Sequence, residues 1–416
     1  MSDSVKFTVI VPTRERSDTL VHCLRTLVTQ DYDNVVFVVS DNFSQDDTKE
    51  VAESFNDPRI RYLNTGKRIS MSHNWEFALG HVTDGWVTIL GDDDGLLPGA
   101  LGKISEIINS TGTEAIMSSW CLYYWPMAGG ILSKSNLPLG RGWKTRRTDA
   151  WLSKLMSGKA VYPDLPMLYT GGFVDNRLIA KARGNDGNFF RSFSPDVYSA
   201  IALACVTEWY VYLYEPVSIA GVSAHSTGAS NLGVSGNLKP EIKFYSENNI
   251  PFHRTLGEEK IKSIHMCVYE SYLQSQFLHK NTLNISLDKQ LSQALSVARR
   301  EQYEELKVYC TKVCEINNLD IDIIEKKAKK YKIRYMIYKV ITILMELFSN
   351  KLSFDPTALD AHNVYDVSLV FKSLYMNRWW RLNRIVGLLR RYFLKKDVEA
   401  TINEFNRLLK KSSSYR

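Results

Sequence analysis

Hydrophobic and polar positions repeat in a regular way over the first hundred residues. Lys6 to Val11 (KFTVIV) is β-branched and apolar, and it stops at Pro12-Thr13-Arg14. Leu20, Val21, Leu24, Leu27 and Val28 then recur at helical spacing, and Ser17 is the predicted N-cap. Val35 to Val39 (VVFVV) reads as a second buried strand ending at Ser40-Asp41-Asn42. A short helix over Thr48 to Phe55 and a third strand over Arg59 to Leu63 follow. Ser72 to Leu79 reads as a helix closed by Gly80, and Trp86 to Leu90 (WVTIL) as a fourth strand running into Gly91-Asp92-Asp93-Asp94. Near-continuous apolar strands alternating with helices predict an α/β fold, with a parallel sheet covered on both faces. Ligands of such sheets bind beyond the carboxyl ends of the strands. Three polar clusters fall there: Thr13 to Arg16, Asp41 to Ser44, and Asp92 to Asp94.

The middle of the chain, from about Ala115 to Ser230, is mixed. Ala115 to Ser119 and Tyr210 to Tyr214 are strand-like, and Gly171-Gly172, Gly184 and Gly187 punctuate it. After about Lys239 the pattern turns helical, with a break at Asp355-Pro356. No internal repeat is present. The expected divisions are 1–110, a nucleotide-binding half; 111–238, an acceptor-binding and catalytic half; and 239–416, a helical carboxyl-terminal region.

Composition narrows the class. With 416 residues, 44% hydrophobic and 23% charged, the chain is an ordinary globular one, not disordered, collagen-like or a disulfide scaffold. Its six cysteines are scattered. Only Cys310 and Cys314 are close, and no neighbouring pair completes a zinc set, so a reducing compartment is expected. The start MSDSVKFTVIVP does not read as a secretory leader, and no run of about 18 apolar residues predicts a spanning helix. The stretch Tyr331 to Phe348 is apolar but broken by Lys339 and Glu346, and it predicts a packed helix. The net charge of +7 is uneven: Met376 to Arg416 carries eleven Lys and Arg against three Asp and Glu. The rest of the chain is close to neutral, which argues against nucleic acid as a partner.

Three adjacent carboxylates repel one another, and a chain groups them chiefly to hold a cation. Hard oxygen ligands in such small number suit magnesium or manganese together with a diphosphate and water. A solvated acidic loop is the bland alternative. No GxGxxG follows the first strand, and no GxxxxGK[ST] occurs, which excludes a dinucleotide cradle and a Walker-type NTPase.

The stretch FTVIVPTRERSDTLVHCLRTLVTQDYDNVVFVVSDNFSQDDT, the segment with Asn74, and VTILGDDDGLLPGAL together resemble an inverting family 2 glycosyltransferase with the GT-A fold. The likeness is strong over about 5–110 and weak to about 230. It implies a GT-A-like, Rossmann-type, mostly parallel sheet flanked by helices, with a helical extension. It gives nucleotide contacts to Pro12, Thr13, Arg14, Glu15, Asp41, Asn74 and Asp92, with Asp41 facing a uracil-type imide. It gives a divalent metal, manganese or magnesium, to Asp93, Asp94 and His225. Many relatives show D-x-D-D, whereas Gly91 stands at the first aspartate's place here. Anchoring on Pro98 points to Asp93 as metal ligand, while alternation along an extended segment pairs Asp92 with Asp94.

Inverting transfer needs a carboxylate to take a proton from the acceptor hydroxyl. The resemblance places that base at Asp196, in Ser194-Pro195-Asp196-Val197. The same residues also read as an ordinary helix start, with Ser at N-cap, Pro at N1 and Asp complementing the dipole. Tyr123, Tyr124, Trp125, Trp143 and Trp151 read either as a sugar-stacking surface or as ordinary core aromatics.

The resemblance implies a non-processive enzyme using a nucleotide sugar, a UDP-sugar, and a glycan or lipid-linked acceptor. The setting it implies is bacterial surface-polysaccharide assembly, such as O-antigen or capsule, on the inner face of the cytoplasmic membrane. No Q-x-x-R-W motif occurs, which argues against a processive synthase. A sugar nucleotidyltransferase would show glycines in the first loop, and VPTRER lacks them. An idle nucleotide-binding scaffold at the membrane is the reading from another class.

Within the tail, Trp379, Leu382, Ile385, Val386, Leu389, Tyr392 and Phe393 share one helical face, and Arg384, Arg391 and Lys395 lie on the other. That is the form of an interfacial helix, and equally of an amphipathic helix packed on the protein. Each basic residue near an anionic surface contributes about 1 kcal/mol, so a few suffice for reversible docking when apolar burial adds to them. The full chain is expected to pellet with anionic vesicles, less so as salt rises, and a version ending at Tyr375 is expected to stay in the supernatant. Equal sedimentation of the two would make the helix a packing element.

Overall fold

The computed structural model describes residues 4–126, 135–224, 247, 249–258, 261, 263–279, 285–347 and 351–376. The first part runs β1 (Phe7–Thr13), α1 (Ser17–Val28), β2 (Val35–Asp41), α2 (Thr48–Ser54), β3 (Ile60–Asn64), α3 (Met71–Leu79) and β4 (Trp86–Ile89). After the acidic triplet come β5 (Gly95–Leu96) and α4 (Ala100–Thr111). The second part runs β6 (Ala115–Tyr124), β7 (Ser135–Pro138), β8 (Trp143–Arg147), α5 (Thr148–Met156), β9 (Gly172–Asp175), α6 (Asn176–Lys181), α7 (Pro195–Val206) and β10 (Trp209–Val222). Then follow α8 (Ile264–Gln274), α9 (Leu287–Val297), α10 (Tyr303–Ile316), α11 (Ile321–Leu347), β11 (Lys351–Phe354) and α12 (Val364–Met376).

The strands form one sheet in the order β11-β7-β6-β9-β4-β1-β2-β3, with β10 paired to β6, β5 and β8. The block β4-β1-β2-β3 is parallel, as its apolar runs predict. Beyond it the sheet is mixed: β9 is antiparallel to β4 and β6, and β10 is parallel to β6. Side chains alternate across the parallel block. Val9, Val11, Phe37 and Val39 join a core with Leu20, Leu24 and Leu27 of α1 and Ile104 of α4. Ile10, Val38, Val87 and Ile89 join the opposite core with Trp75 of α3 and Val197 and Ile201 of α7. The carboxyl ends finish level, since Thr13 pairs with Asp41 and Asp41 with Asn64.

Three local expectations need correction. Ser17 is the first residue of α1, and the N-cap is Arg16, whose side chain makes no cap bond. The N–H of Ser17 donates instead to Asp46 Oδ2 at 2.9 Å, so the loop after β2 supplies the cap. The carboxyl-terminal region is not helical throughout: β11 pairs antiparallel with β7, and α12 packs Val364, Val367 and Phe371 against Tyr123 and Leu137. In the apolar stretch expected to pack, Ile333, Tyr335, Met336 and Ile337 of α11 are exposed. Among the described residues no helix is long and apolar enough to cross a membrane.

Helix α3 fastens the parallel block to the segment before α7. Asn74 Oδ1 accepts from Ser40 Oγ at 2.8 Å, and its Nδ2 donates to the Ser40 carbonyl at 3.2 Å, which pins the end of β2. Ser72 Oγ donates to the Ser192 carbonyl at 2.7 Å. Glu76 Oε2 accepts from the N–H groups of Phe189 and Phe190, at 2.9 and 2.8 Å.

Strand β10 ends against the acidic triplet. Its pairing with β6 shifts register between Leu213 and Ser218, and this carries Gly221 to the triplet's backbone. A Cβ on Gly221 would lie 1.8 Å from the Asp93 carbonyl oxygen. Gly221→Ala is therefore expected to lower unfolding free energy by about 2–3 kcal/mol through overpacking. Urea denaturation at unchanged m value measures this, and an unaltered midpoint would contradict the close approach.

Candidate active site

The triplet lies at the carboxyl end of β4, and it is buried: Asp92, Asp93 and Asp94 are 2%, 4% and 1% exposed. Each carboxylate is met by a different part of the chain. Arg16 Nη1 donates to Asp92 Oδ1 at 2.9 Å. Ser223 donates to Asp93 Oδ2 from its Oγ at 2.6 Å and its N–H at 3.3 Å. Asp94 Oδ1 accepts from the Gly221 N–H at 2.7 Å, and Oδ2 accepts from Thr170 Oγ1 at 2.6 Å and the Gly91 N–H at 3.0 Å. The Asp93 carbonyl accepts from Trp125 Nε1 at 3.0 Å. Burial pushes the Asp92 carboxyl above its ordinary value, partly offset by Arg16. Burial and the neighbouring Asp93 push Asp94 up as well. Burial would lower the Arg16 guanidinium, but Asp92 and Asp93 more than reverse this and hold it charged.

Gly91, where many relatives have an aspartate, has a steric reason. A Cβ there would lie 2.9 Å from Asp94 Oδ2 and 3.0 Å from Tyr169 Oη. Tyr169 also packs on Trp75 of α3, with ring centroids 5.3 Å apart. Burial raises its phenol well above the ordinary value, and Asp94, Asp93 and Asp196 add to that in turn. Tyr169 therefore lies near both the triplet and Asp196.

The expected nucleotide contacts converge at the same edge. Asp41 is buried, and Oδ2 accepts from Tyr62 Oη at 2.6 Å and Asn64 Nδ2 at 2.9 Å, while Oδ1 accepts from the Ser44 N–H at 3.0 Å. Glu15 has left-handed backbone, φ 53°, and its N–H donates to Ser44 Oγ at 2.9 Å. Its carboxylate accepts from the Gln45 N–H at 3.2 Å and pairs with Arg68 at 3.0 Å. Pro12 and Thr13 end β1 beside Ser40 and Asp41. Arg14 pairs with Glu247. Asn74 lies behind this edge, its amide engaged by Ser40.

Asp196 sits in the first turn of α7, half-buried. Tyr162 Oη donates to Oδ2 and Ser194 Oγ to Oδ1, both at 2.9 Å. A carboxylate oxygen accepts more than one hydrogen bond, so both retain capacity for a proton. Tyr162 follows β8 and α5, in a turn held by the Arg146–Asp164 pair at 3.4 Å.

His225 lies outside the described residues, as does Trp379 to Lys395. Among the described residues no three His, Cys, Asp or Glu side chains converge to hold a metal ion. A diphosphate-bound magnesium or manganese needs only one or two protein carboxylates. The buried triplet fits that requirement, with the Arg16 guanidinium on Asp92. Both oxygens of Asp94 take protein donors.

The aromatic cluster divides. Tyr123 and Trp125 are core residues, while Trp143 is 43% exposed. Trp151 lies under the guanidinium of Arg146, 3.7 Å from its ring centroid. Tyr162, Tyr169, Thr170, Gly221 and Ser223 escape sequence reasoning because they stand in irregular stretches or at a strand end without periodic signal. Asn64 was accessible, being the residue after a predicted strand.

Residues 8–156 match the model of Glycosyl transferase family 2. It is 36% identical over 107 residues to a GalNAc(5)-diNAcBac-PP-undecaprenol beta-1,3-glucosyltransferase of Campylobacter jejuni, covering 25% of this chain and 35% of that one. An uncharacterized protein of Mycobacterium tuberculosis is 31% identical over 98 residues, covering 24% and 31%. The chain thus spans about a third of the length of the curated relatives it matches. The S. aureus TarS 1–349 crystal structure aligns with TM-score 0.44 at 16% identity, over 79% of this chain and 91% of that one.

Arg16→Met would leave Asp92 buried without its guanidinium. The expected loss is about 3 kcal/mol at pH 8. The Asp92 carboxyl is already raised, so its neutral form is favoured by folding. Without Arg16 it rises further, and the deficit should shrink as pH falls to about 5 and the carboxyl protonates. Denaturation at the two pH values measures this, and a deficit independent of pH would contradict it.

Proposed function

We propose that the protein is a metal-dependent, inverting, non-processive glycosyltransferase that moves a sugar from a UDP-sugar to a glycan or lipid-linked acceptor. The observation that carries this reading is the buried triplet within the family 2 segment, with the half-buried carboxylate of Asp196 beyond that segment and Tyr169 near both. The lipid-linked acceptor is favoured by the likeness to the Campylobacter glucosyltransferase, whose name specifies a PP-undecaprenol-linked glycan. A role in bacterial surface-polysaccharide assembly, with peripheral contact at the cytoplasmic membrane, belongs to the same proposal.

In this reading Asp41, with Tyr62 and Asn64, presents the edge that faces the base, and the Pro12 to Glu15 loop holds the nucleoside. Asp92 and Asp93 face the diphosphate. Asp93, with His225 as a further candidate ligand, would hold a divalent ion, which would supply counter-charge for the departing diphosphate. Asp196 takes the proton of the acceptor hydroxyl as its oxygen bonds to the anomeric carbon. The bond from that carbon to the phosphate oxygen breaks, and the electron pair leaves with the nucleotide. Tyr162 and Ser194 orient Asp196 for this step. Trp143 and Trp151 are the remaining candidates for stacking on an acceptor sugar.

UDP release from UDP-glucose, UDP-galactose, UDP-GlcNAc and UDP-GalNAc, with manganese present, tests the reading. Asp93→Ala is expected to abolish the manganese dependence of UDP binding. Asp196→Asn is expected to lower turnover by about a hundredfold while UDP still binds. Release at the wild-type rate in Asp196→Asn would place the base elsewhere, and no release from any donor would overturn the activity.

A further inference from the structure

Glu270 is a buried carboxylate with no part in the chemistry just described. It lies on α8, in the carboxyl-terminal region, and is wholly inaccessible to solvent. An unpaired carboxylate in such a place is costly, and an apolar residue would fill the space at less expense. The contacts of Glu270 suggest why it is there. Ser192 Oγ hydrogen-bonds to Oε2, and Gln274 Nε2 donates to Oε1 at 2.8 Å. Gln274 is itself tied to the Pro251 carbonyl at 2.9 Å, and Ser271 Oγ donates to Ser192 Oγ at 3.3 Å.

Ser192 is the joint of this network. Its carbonyl accepts from Ser72 of α3, and its hydroxyl lies 3.4 Å from the N–H of Ser194. Ser194 Oγ donates in turn to Asp196 Oδ1. A short path of hydrogen bonds thus leads from Glu270 through Ser192 and Ser194 to the carboxylate at the start of α7. Burial pushes the Glu270 carboxyl up to about 7, with Ser192 and Gln274 opposing the rise.

We infer that Glu270 is a positioning residue for Asp196: through Ser192 it fixes the turn that aims this carboxylate. The inference rests on the reading of Asp196 as the base. It makes proton transfer depend on a helix that lies well beyond the family 2 segment. Glu270 touches neither donor nor acceptor, so its removal should affect turnover and spare donor affinity.

The test uses the full chain and whichever of UDP-glucose, UDP-galactose, UDP-GlcNAc or UDP-GalNAc gives the highest wild-type UDP release with manganese. Glu270→Ala and Ser192→Ala are each expected to lower kcat by about tenfold or more, with donor KM within about twofold. The double variant should be no worse than the poorer single one, because the two act as a unit. Glu270→Gln keeps an acceptor for Ser192 and should restore kcat to within about threefold of wild type. Ser192→Ala removes one hydroxyl and keeps the test open if Glu270→Ala fails to fold. Wild-type kcat in Ser192→Ala, additive losses in the double variant, or equal losses of kcat and donor affinity would overturn the inference. Asp196→Asn, run alongside, separates the two ideas. If it is inactive while Ser192→Ala is normal, only the positioning role falls; if it is fully active, the reading of the base falls first.

Discussion

Three neighbouring carboxylates withdrawn from water are the constraint to which the rest of the architecture answers. Each would repel the next, and each loses hydration on burial, so the fold must bring donors to all of them. It does so from four places: Arg16 after β1, Thr170 before β9, Gly221 at the end of β10 and Ser223 just past it. The layered sheet, the register shift in β10 and the close approach at Gly221 all serve this convergence. Among the described residues Arg16 is the cation that bonds the triplet, and grouped carboxylates suit the diphosphate-bound cation of the proposed reaction.

Much of the amino-terminal part was legible in the sequence. Runs such as KFTVIV and VVFVV are buried on both faces in parallel strands, so apolar content alone marks them. Polar clusters at their ends mark the ligand edge, because strand ends are where buried backbone gives way to side-chain chemistry. The partners of that edge were not legible. Tyr162 and Tyr169 stand in an irregular stretch, and nothing local distinguishes them from other tyrosines. The N-cap at Ser17 misled because the Asp46 carboxylate, from another loop, satisfies the same N–H. The strand Lys351–Phe354 is four residues in a helical neighbourhood, too short for alternation to outweigh its surroundings.

The middle and carboxyl-terminal parts are knit to the amino-terminal part more closely than their changing sequence pattern suggests. One helix, α3, uses Asn74 toward β2 and Ser72 and Glu76 toward the segment before α7. One strand, β11, extends the sheet from the far end of the chain. Donor edge and candidate base are thus held against a common element rather than on separately hinged lobes.

The spread of donors along the chain has a consequence for biosynthesis. Gly221 and Ser223 follow their carboxylate partners by 127 and 130 residues. At about 5–20 residues per second, the triplet leaves the ribosome on the order of ten seconds before those donors exist. During that interval the nascent β4 edge must stay hydrated, and the apolar faces beside it cannot close. The stretch that matches the family model, 8–156, ends before Thr170, Gly221 and Ser223 and so lacks those donors to the triplet.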